Sequence, residues 1–308
     1  MKRILLSCIA ALLSAAMLLS FAGCSAQSSG DFTDDAGGSV SLPASPRRVA
    51  VLFSSLAELW CLSDGELSVT VGETVERGIA PIGTPLVDGG AGKSIDLEAL
   101  IASECDLVIG SADVPAHRAV AEALRAIGTP TLLLHLESFS DYLRILELFC
   151  RLNGSDAYGR YGTPLEVQVE AILANAKDAR PKRVLFLRAG ASASSLRAKS
   201  SRDHFAAAIL TELGCENLAD SAPILLDGLS IEAVLEGDPD LILVSTMGDE
   251  AAARANVERQ LSDGAWQTLR AVREGQVYFL DKAYFQYKPN ARWAEAYQIL
   301  SELIHDAD

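Results

Sequence analysis

The sequence predicts an α/β protein with two Rossmann-like lobes, each built on a mostly parallel sheet, joined by a single long α-helix. One observation behind this fold class is a repeat, because residues 95–110 and 229–244 align without a gap. Each copy is typical of a short capped helix that carries one carboxylate and leads into a buried apolar strand. The other observation is that strands alternate with helices on both sides of a helical stretch, 138–178.

The first lobe is predicted over residues 31–154. An apolar strand at 48–53 is followed at once by Ser54 and Ser55, which favour a helix N-cap, and by a helical pattern. The next elements are a strand, a helix and a strand, at residues 106–110, 116–127 and 131–135. This alternation favours a parallel sheet, because parallel strands need crossover connections.

The linking helix is predicted over residues 155–180, after a break in the helical pattern near Asn153 and Gly154. The second lobe then occupies residues 181–308. Its strands are predicted at residues 183–187, 240–244 and 276–280. A helix rather than a flexible linker is therefore expected to connect the two lobes.

The N-terminus has the pattern of a lipoprotein signal peptide, predicted over residues 1–23. Lys2 and Arg3 precede an apolar stretch, and small residues just before Cys24 allow cleavage there. The Cys24 thiol can then carry a lipid anchor, and residues 24–30 fit a flexible tether. The alternatives are an ordinary signal peptide or a membrane-spanning helix, although the stretch is short and serine-rich for a span. The predicted location is the extracellular face of the cytoplasmic membrane.

The composition limits the partners of the mature chain. Removal of residues 1–23 takes the formal net charge from -15 to about -17 and leaves enough chain for two lobes with a substantial core. Such an acidic body argues against nucleic acid and anionic lipid as partners, and a monomer is expected. The cysteines that follow Cys24 lack zinc-ligand spacing, and their disulfide state is left open. They are predicted to be mostly buried thiols: Cys61, Cys105, Cys150 and Cys215.

The ligand site is expected between the lobes, because ligands of open α/β sheets bind beyond the carboxyl ends of the strands. Ser54 and Ser55 follow the first strand, and Arg188 ends the first strand of the second lobe. Arg188, Lys199 and Arg202 concentrate positive charge in an otherwise acidic protein, which predicts a basic cleft for an anionic chelate. A solvated loop is the alternative for the stretch that contains Lys199 and Arg202.

The turn before the last helix supplies the aromatic candidates. Tyr284, Phe285 and Tyr287 could form flat walls and hydroxyl donors for a planar or cyclic chelate, with Lys288 beside them. Trp293, at helical spacing from another aromatic residue, is expected in the core instead.

Motifs spread along the chain carry a family resemblance. They are the lipoprotein signal, the two repeat copies, and residues 34–37, 42–49, 266–278 and 285–293. They cover essentially the whole mature chain, which resembles the solute-binding proteins of iron-siderophore, haem and cobalamin importers. The resemblance implies two lobes with restricted hinge motion and delivery of a bound metal chelate to an ATP-driven (ABC) permease. A ferric siderophore is the first choice, haem and cobalamin stay open, and no covalent cofactor beyond the lipid is expected.

The same resemblance implies a role for the carboxylate of each repeat copy. In that family a surface glutamate on each lobe docks onto arginines of the permease, and those positions correspond to Glu98 and Glu232. One exposed carboxylate per lobe fixes orientation as well as adding attraction. The alternative is that each glutamate only interacts with the dipole of its own helix.

Two other classes of function receive less support from the sequence. Direct capture of a metal ion needs several histidines and carboxylates, whereas the four histidines are scattered: His117, His135, His204 and His305. A hydrolase of the nucleophile-elbow type needs a Gly-x-Ser-x-Gly motif, which the sequence lacks. A binding protein rather than an enzyme is therefore predicted, with direct metal-ion binding and extracellular hydrolysis as minor alternatives.

Overall fold

The computed structural model describes residues 29–88, 94–177, 180–227 and 229–306. The predicted signal peptide, Cys24 and most of the predicted tether lie outside these residues. Ser29 and Gly30, the last residues of that tether segment, belong to β1 (Ser29–Thr33), which pairs antiparallel with β2 (Ser39–Leu42). Within the described ranges, every helix is too short or too polar to cross a membrane.

The N-terminal lobe contains a three-stranded parallel sheet. Its elements are β3 (Val49–Val51), α1 (Ser54–Leu62), α2 (Gly72–Glu76), α3 (Leu97–Ala102), β4 (Leu107–Ser111), α4 (Pro115–Ala126), β5 (Thr131–Leu134) and α5 (Phe139–Asn153). The strands lie in the order β3, β4, β5, and all of their residues are buried. Complete burial explains why these strands read as continuous apolar runs.

The segment predicted as one linking helix is divided into α6 (Tyr158–Tyr161) and α7 (Thr163–Ala176). Gly162 lies at the division, where an added Cβ would approach the Tyr158 ring to 2.9 Å. Pro164 follows in the first turn of α7, where the missing N–H removes no helical hydrogen bond. Helix still connects the lobes, but the main linking helix is shorter than predicted.

The C-terminal lobe is built on a mixed sheet. Its elements are β6 (Arg183–Ala189), β7 (Arg197–Ala198), α8 (Phe205–Glu212), β8 (Glu216–Asn217), α9 (Leu218–Ser221), α10 (Ile224–Asp227), α11 (Ile231–Gly237), β9 (Leu241–Thr246), α12 (Glu250–Leu261), α13 (Arg270–Arg273), β10 (Val277–Phe279), α14 (Lys282–Phe285) and α15 (Trp293–Asp306). The main strand order is β10, β9, β6, β7, and β8 pairs with β6. Only the β6–β7 pairing is antiparallel among the described strands of this sheet.

Both repeat copies are built by the same contacts. Asp96 and Ser230 are the N-caps of α3 and α11, and each side chain accepts a hydrogen bond from the backbone N–H three residues further on. Asp106 and Asp240 precede β4 and β9. Each accepts a hydrogen bond from a backbone N–H at the start of a neighbouring strand, from Arg48 just before β3 at 3.0 Å and from Arg183 in β6 at 2.8 Å. The capped helix and the anchored strand therefore form one structural unit that occurs once in each lobe.

One hydrophobic core extends through both lobes. The ring of Trp293 in α15 lies 5.9 Å from that of Phe139 in the N-terminal lobe and 5.7 Å from that of Phe205 in the C-terminal lobe. Trp293 is buried, which confirms the prediction that it is a core residue, and Trp60 and Tyr297 are buried as well. Because close-packed interiors resist deformation, a shared core favours small lobe movements.

The four cysteines in the described chain are free thiols. Three of them are buried and Cys61 is half-buried, as expected for packed cysteines. Burial raises the pKa of the Cys61 and Cys215 thiols to about 11, so both are protonated and unreactive at neutral pH.

Candidate functional site: the cleft between the lobes

A cleft of about 260 Å³ lies between the lobes, beyond the carboxyl ends of β3, β4, β5 and near that of β6. This is the position at which open α/β sheets bind ligands. The N-terminal lobe lines it with Phe53, Ser54, Ser55, Glu73, Ser111, Asp113, Val114 and Glu137. The C-terminal lobe lines it with Arg188, Asp203, His204, Phe205, Gln286, Tyr287 and Lys288.

The structure brings only some of the sequence-predicted ligand residues into this cleft. Those that line it are Ser54, Ser55, Arg188, Tyr287 and Lys288. Phe285 is fully buried in the core, which leaves it no surface for a ligand. Tyr284 lines a separate groove and donates its hydroxyl to Glu295 at 2.7 Å. Lys199, half-buried, and Arg202, exposed, lie outside the lining of the cleft.

Ser54 and Ser55 connect parts of the site rather than capping α1. The N-cap is Phe53, and both serines are buried in the first turn of the helix. The Ser54 hydroxyl donates to the Glu73 carboxylate in a short contact. The Ser55 hydroxyl accepts from the backbone N–H of Lys288 at 3.4 Å, so it joins the two lobes at the edge of the cleft.

Arg77 was not found from the sequence, yet it organises the N-terminal wall of the site. Its guanidinium donates to Ser54 Oγ at 3.0 Å and to Glu58 Oε2 at 2.6 Å, and it lies 4.3 Å from the centroid of the Tyr287 ring. Asn290 Nδ2 donates to the same Glu58 oxygen at 3.0 Å. Burial raises the pKa of the Tyr287 phenol, which therefore remains a neutral hydroxyl.

The ammonium of Lys288 pairs with a carboxylate of the protein itself. Its ammonium lies 2.5 Å from Glu137 Oε2 and 5.0 Å from the centroid of the Phe205 ring. The two charged side chains are only 12% and 25% exposed. Burial lowers the pKa of Lys288, and the attraction of Glu137 opposes that shift. Lys288 therefore offers little uncompensated positive charge to a ligand.

Arg188 is the cleft cation that lacks a direct hydrogen-bond or ion-pair partner among the described residues. It is half-buried near the end of β6, and no described residue makes a hydrogen bond or an ion pair with its guanidinium. Burial lowers the pKa of Arg188, and the attraction of the Glu137 carboxylate opposes that shift. An arginine keeps its proton in proteins. A partly desolvated guanidinium without a direct hydrogen-bond partner is costly, and an anionic ligand would supply that direct contact.

His204 is a buried neutral donor. Its Nδ1 accepts from the backbone N–H of Ala206 at 3.2 Å, so the ring hydrogen of a neutral imidazole lies on Nε2. Burial, and after it the charges of Lys288 and Arg188, keep the pKa of His204 well below its ordinary value. In this tautomer the imidazole can donate a hydrogen bond but has no free lone pair for a metal ion.

The prediction of a basic cleft is wrong. Two cations line it together with four carboxylates: Glu73, Asp113, Glu137 and Asp203. Asp113 pairs with His135 Nδ1 at 2.8 Å, and Asp203 accepts from the Ser200 hydroxyl at 2.6 Å. Across the described part of the chain, no cluster of three or more histidine, cysteine or acidic side chains is placed to hold a metal ion.

Two of the overlooked carboxylates could have been predicted from their positions just after the carboxyl ends of parallel strands, as Ser54 was. Asp113 follows the end of β4 by two residues, and Glu137 follows the end of β5 by three. The carboxyl end of each parallel strand faces the same edge of the sheet, so polar residues there are all candidates.

The two carboxylates of the repeat form a second surface. Glu98 and Glu232 lie in the first turns of α3 and α11, and both are exposed. The Glu232 carboxylate accepts from the Ser230 hydroxyl at 3.0 Å. Its own backbone N–H, and then that hydroxyl, lower the pKa of Glu232, so it is ionised at neutral pH. Neither glutamate forms an ion pair with a described residue.

Two α/β lobes around a cleft at the strand ends form the architecture of a solute-binding protein. A model of the periplasmic binding protein family matches residues 49–284. The chain therefore belongs to the periplasmic binding protein family, as the sequence motifs predict. No curated protein sequence matches the chain significantly.

Solved structures with the same fold come from several bacteria. The haem-binding protein RhuT of Roseiflexus sp. RS-1 is 18% identical with a TM-score of 0.67, over 85% of this chain and 98% of that one. SirA of Staphylococcus aureus, complexed with staphyloferrin B, is 18% identical with a TM-score of 0.67, over 91% and 98%. The vitamin B12 binding protein BtuF of Vibrio cholerae is 18% identical with a TM-score of 0.68, over 85% and 98%. At such identities the likeness concerns the fold.

Proposed function

We propose that this protein is a lipid-anchored extracytoplasmic binding protein that captures an iron chelate, a ferric siderophore in first place, and delivers it to an ABC import permease. The observation that carries the proposal is the Arg188 guanidinium in a cleft between two lobes, where no described residue makes a hydrogen bond or an ion pair with it. A chelate with carboxylate or catecholate oxygens provides the anionic group that this cation lacks. Structural relatives that are named for haem, siderophore or vitamin B12 binding support the ligand class.

The remaining cleft groups fit a polar ligand of moderate size. The Tyr287 hydroxyl and the His204 Nε2–H are neutral donors, and Asp113 and Glu73 are acceptors for amide or amine hydrogens of a chelator. A volume of about 260 Å³ lies just below the range of ordinary ligand pockets, which is roughly 300–1,000 Å³. This favours a compact chelate over haem or cobalamin, which are the alternatives within the same class.

Delivery is proposed to use the acyl anchor and the two exposed glutamates. A lipid on Cys24 would hold the binding protein near its permease, so a modest docking affinity would suffice. Glu98 and Glu232 would meet arginines of that permease, one on each lobe. The protein performs no reaction in this proposal, and binding and release are its whole activity.

Calorimetric titration of the purified protein tests the ligand assignment. The probes are ferric carboxylate, catecholate and hydroxamate siderophores, hemin and cyanocobalamin. We expect an anionic ferric siderophore to bind most tightly and Arg188→Gln to weaken it about 10- to 100-fold, as for loss of a charged hydrogen bond. Arg202→Gln, outside the cleft, is the matched control and should bind like the parent. Tightest binding of hemin or cyanocobalamin would favour the alternative, and an unchanged affinity of Arg188→Gln would remove the basis of the proposal.

A further inference from the structure

The helices that carry the two exposed glutamates also expose an aliphatic side chain at the same position. Ile101 follows Glu98 by three residues, and Leu235 follows Glu232 by three residues. Their exposed fractions are 44% and 37%. All four residues occupy equivalent places in the two repeat copies, because the copies align without a gap.

The geometry of a helix places each pair on one face. Residues three apart are neighbours on a helix surface, with about 5–6 Å between their Cβ atoms. The residue just before each aliphatic side chain is turned into the core, since Leu100 is 2% exposed and Val234 is 0% exposed. Each helix therefore has a buried apolar side and, separate from it, an exposed side with one carboxylate beside one aliphatic group.

A single exposed aliphatic residue on a protein surface needs no explanation. The described residues include seven large hydrophobic side chains with at least 37% exposure, and two of them fall at equivalent positions next to the two glutamates. The core contacts of α3 and α11 do not demand an apolar residue there, because Leu100 and Val234 already fill the core below. The repetition therefore points to a common use of both exposed faces.

We infer that each lobe docks through a two-part contact, formed by Glu98 with Ile101 on one lobe and by Glu232 with Leu235 on the other. The partner is a membrane protein that presents the same complementary surface twice, a guanidinium beside an apolar patch, as two copies of one subunit do. Burial of the aliphatic group excludes water from the neighbouring ion pair and strengthens it. This inference rests on the proposed delivery function, since it describes the contacts by which the protein would bind the permease.

Site-specific photocrosslinking in intact host cells tests the inference. A photoreactive residue is placed at position 101 or 235, and at position 127 or 167 as controls, where Ile127 and Val167 are exposed by 58% and 63% on other elements. Positions 101 and 235 should label one and the same membrane-embedded polypeptide, within overlapping peptides. The control positions should not label it. Labelling of different polypeptides from 101 and 235, or of none, would overturn the inference.

A second measurement separates the aliphatic contribution from the carboxylates. The polypeptide labelled from 101 and 235 is reconstituted in lipid nanodiscs, and binding of the purified protein is titrated. The double variant Ile101→Gln with Leu235→Gln should bind at least about tenfold more weakly, while Ile127→Gln with Val167→Gln binds like the parent. Both pairs of positions are exposed, so folding should be unaffected.

The outcomes distinguish this inference from the proposed function. Suppose that Glu98→Ala with Glu232→Ala abolishes both nanodisc binding and chelate uptake while Ile101→Gln with Leu235→Gln binds normally. In that case the two-part contact is wrong and delivery through the glutamates stands. If the alanine double variant retains normal uptake, the docking assignment of the glutamates fails as well. Chelate affinity measured in solution should be unchanged in all of these variants.

Discussion

The ion pair between Lys288 and Glu137 provides the sharpest test of how charge is arranged in the cleft. The substitution Lys288→Met removes the ammonium 2.5 Å from Glu137 Oε2 and keeps most of the aliphatic stem beside Phe205. It leaves a carboxylate that is only 25% exposed without its partner. Breaking a buried pair costs about 3–5 kcal/mol. Because solvent still reaches part of Glu137, we expect a loss of about 2–3 kcal/mol in the free energy of unfolding.

The double variant Lys288→Met with Glu137→Gln removes both charges at once. The desolvation cost that each charge carried disappears with it, so the double variant should lie within about 1 kcal/mol of the parent. The difference between the single and the double variant then measures the cost of the uncompensated carboxylate rather than lost packing. Urea unfolding at neutral pH, followed by tryptophan fluorescence and circular dichroism, gives both values.

A matched control is available on the same lobe. Lys282 donates to the backbone carbonyl of Gly248 in an exposed contact, so Lys282→Met should change the free energy of unfolding by less than about 0.5 kcal/mol. Equal destabilisation by the single and double variants would show that the lysine stem, not its charge, supports the cleft. That result would refute the assignment of the Lys288 charge to Glu137 and would return Lys288 to the set of ligand cations.

Two further predictions concern stability and motion. Burial lowers the pKa of His117 to about 4, whereas the pKa in the unfolded chain is near 6.5. The neutral imidazole therefore contributes about 3 kcal/mol to the free energy of unfolding above pH 6.5, and this contribution is lost as the pH falls towards 4. Urea unfolding between pH 7 and pH 4 should show this loss. The variant His117→Asn keeps an acceptor for the Ser111 N–H and should reduce the pH dependence of the free energy of unfolding. The same pH dependence in the variant and the parent would contradict the assignment to His117. Trp293→Leu should cost about 2–4 kcal/mol because it leaves a cavity where the lobes share their core. Small-angle scattering should also show a larger ligand-induced closure in that variant, and identical closure would argue that Trp293 does not restrain the lobes.

The strand and helix order could be predicted because it depends on local patterns. The strand Leu107–Ser111 was expected at residues 106–110, one residue away from its position in the structure. The division of the linking helix was missed although its signal is local too. Gly162 and Pro164 interrupt the helical pattern, because glycine disfavours a helix interior and proline is favoured in the first turn of a new helix.

The charge of the cleft could not be predicted because its pairs join residues that are distant along the chain. Lys288 and Glu137 belong to different lobes, and nothing in the residues around either one indicates the other. The same holds for Arg77, which follows a short helix and contacts Tyr287 across the lobe boundary. A count of basic residues near Arg188 therefore overestimated the positive charge, since folding adds four carboxylates to the same space.

The surface that carries Glu98 and Glu232 depends on local sequence patterns, whereas the cleft depends on contacts between residues that are distant along the chain. The exposed helical positions of Glu98 and Glu232 could be predicted from sequence because each residue sits in a self-contained unit of cap, helix and strand. The core shared through Trp293 then fixes the separation of those units, so docking geometry should depend little on whether the cleft is filled. A loaded protein must therefore differ from an empty one chiefly at the cleft edge, where Ser55 meets the backbone of Lys288. Ligand contacts made there would act on the link between the lobes, whereas the helices proposed for docking lie on separate, locally stabilised units.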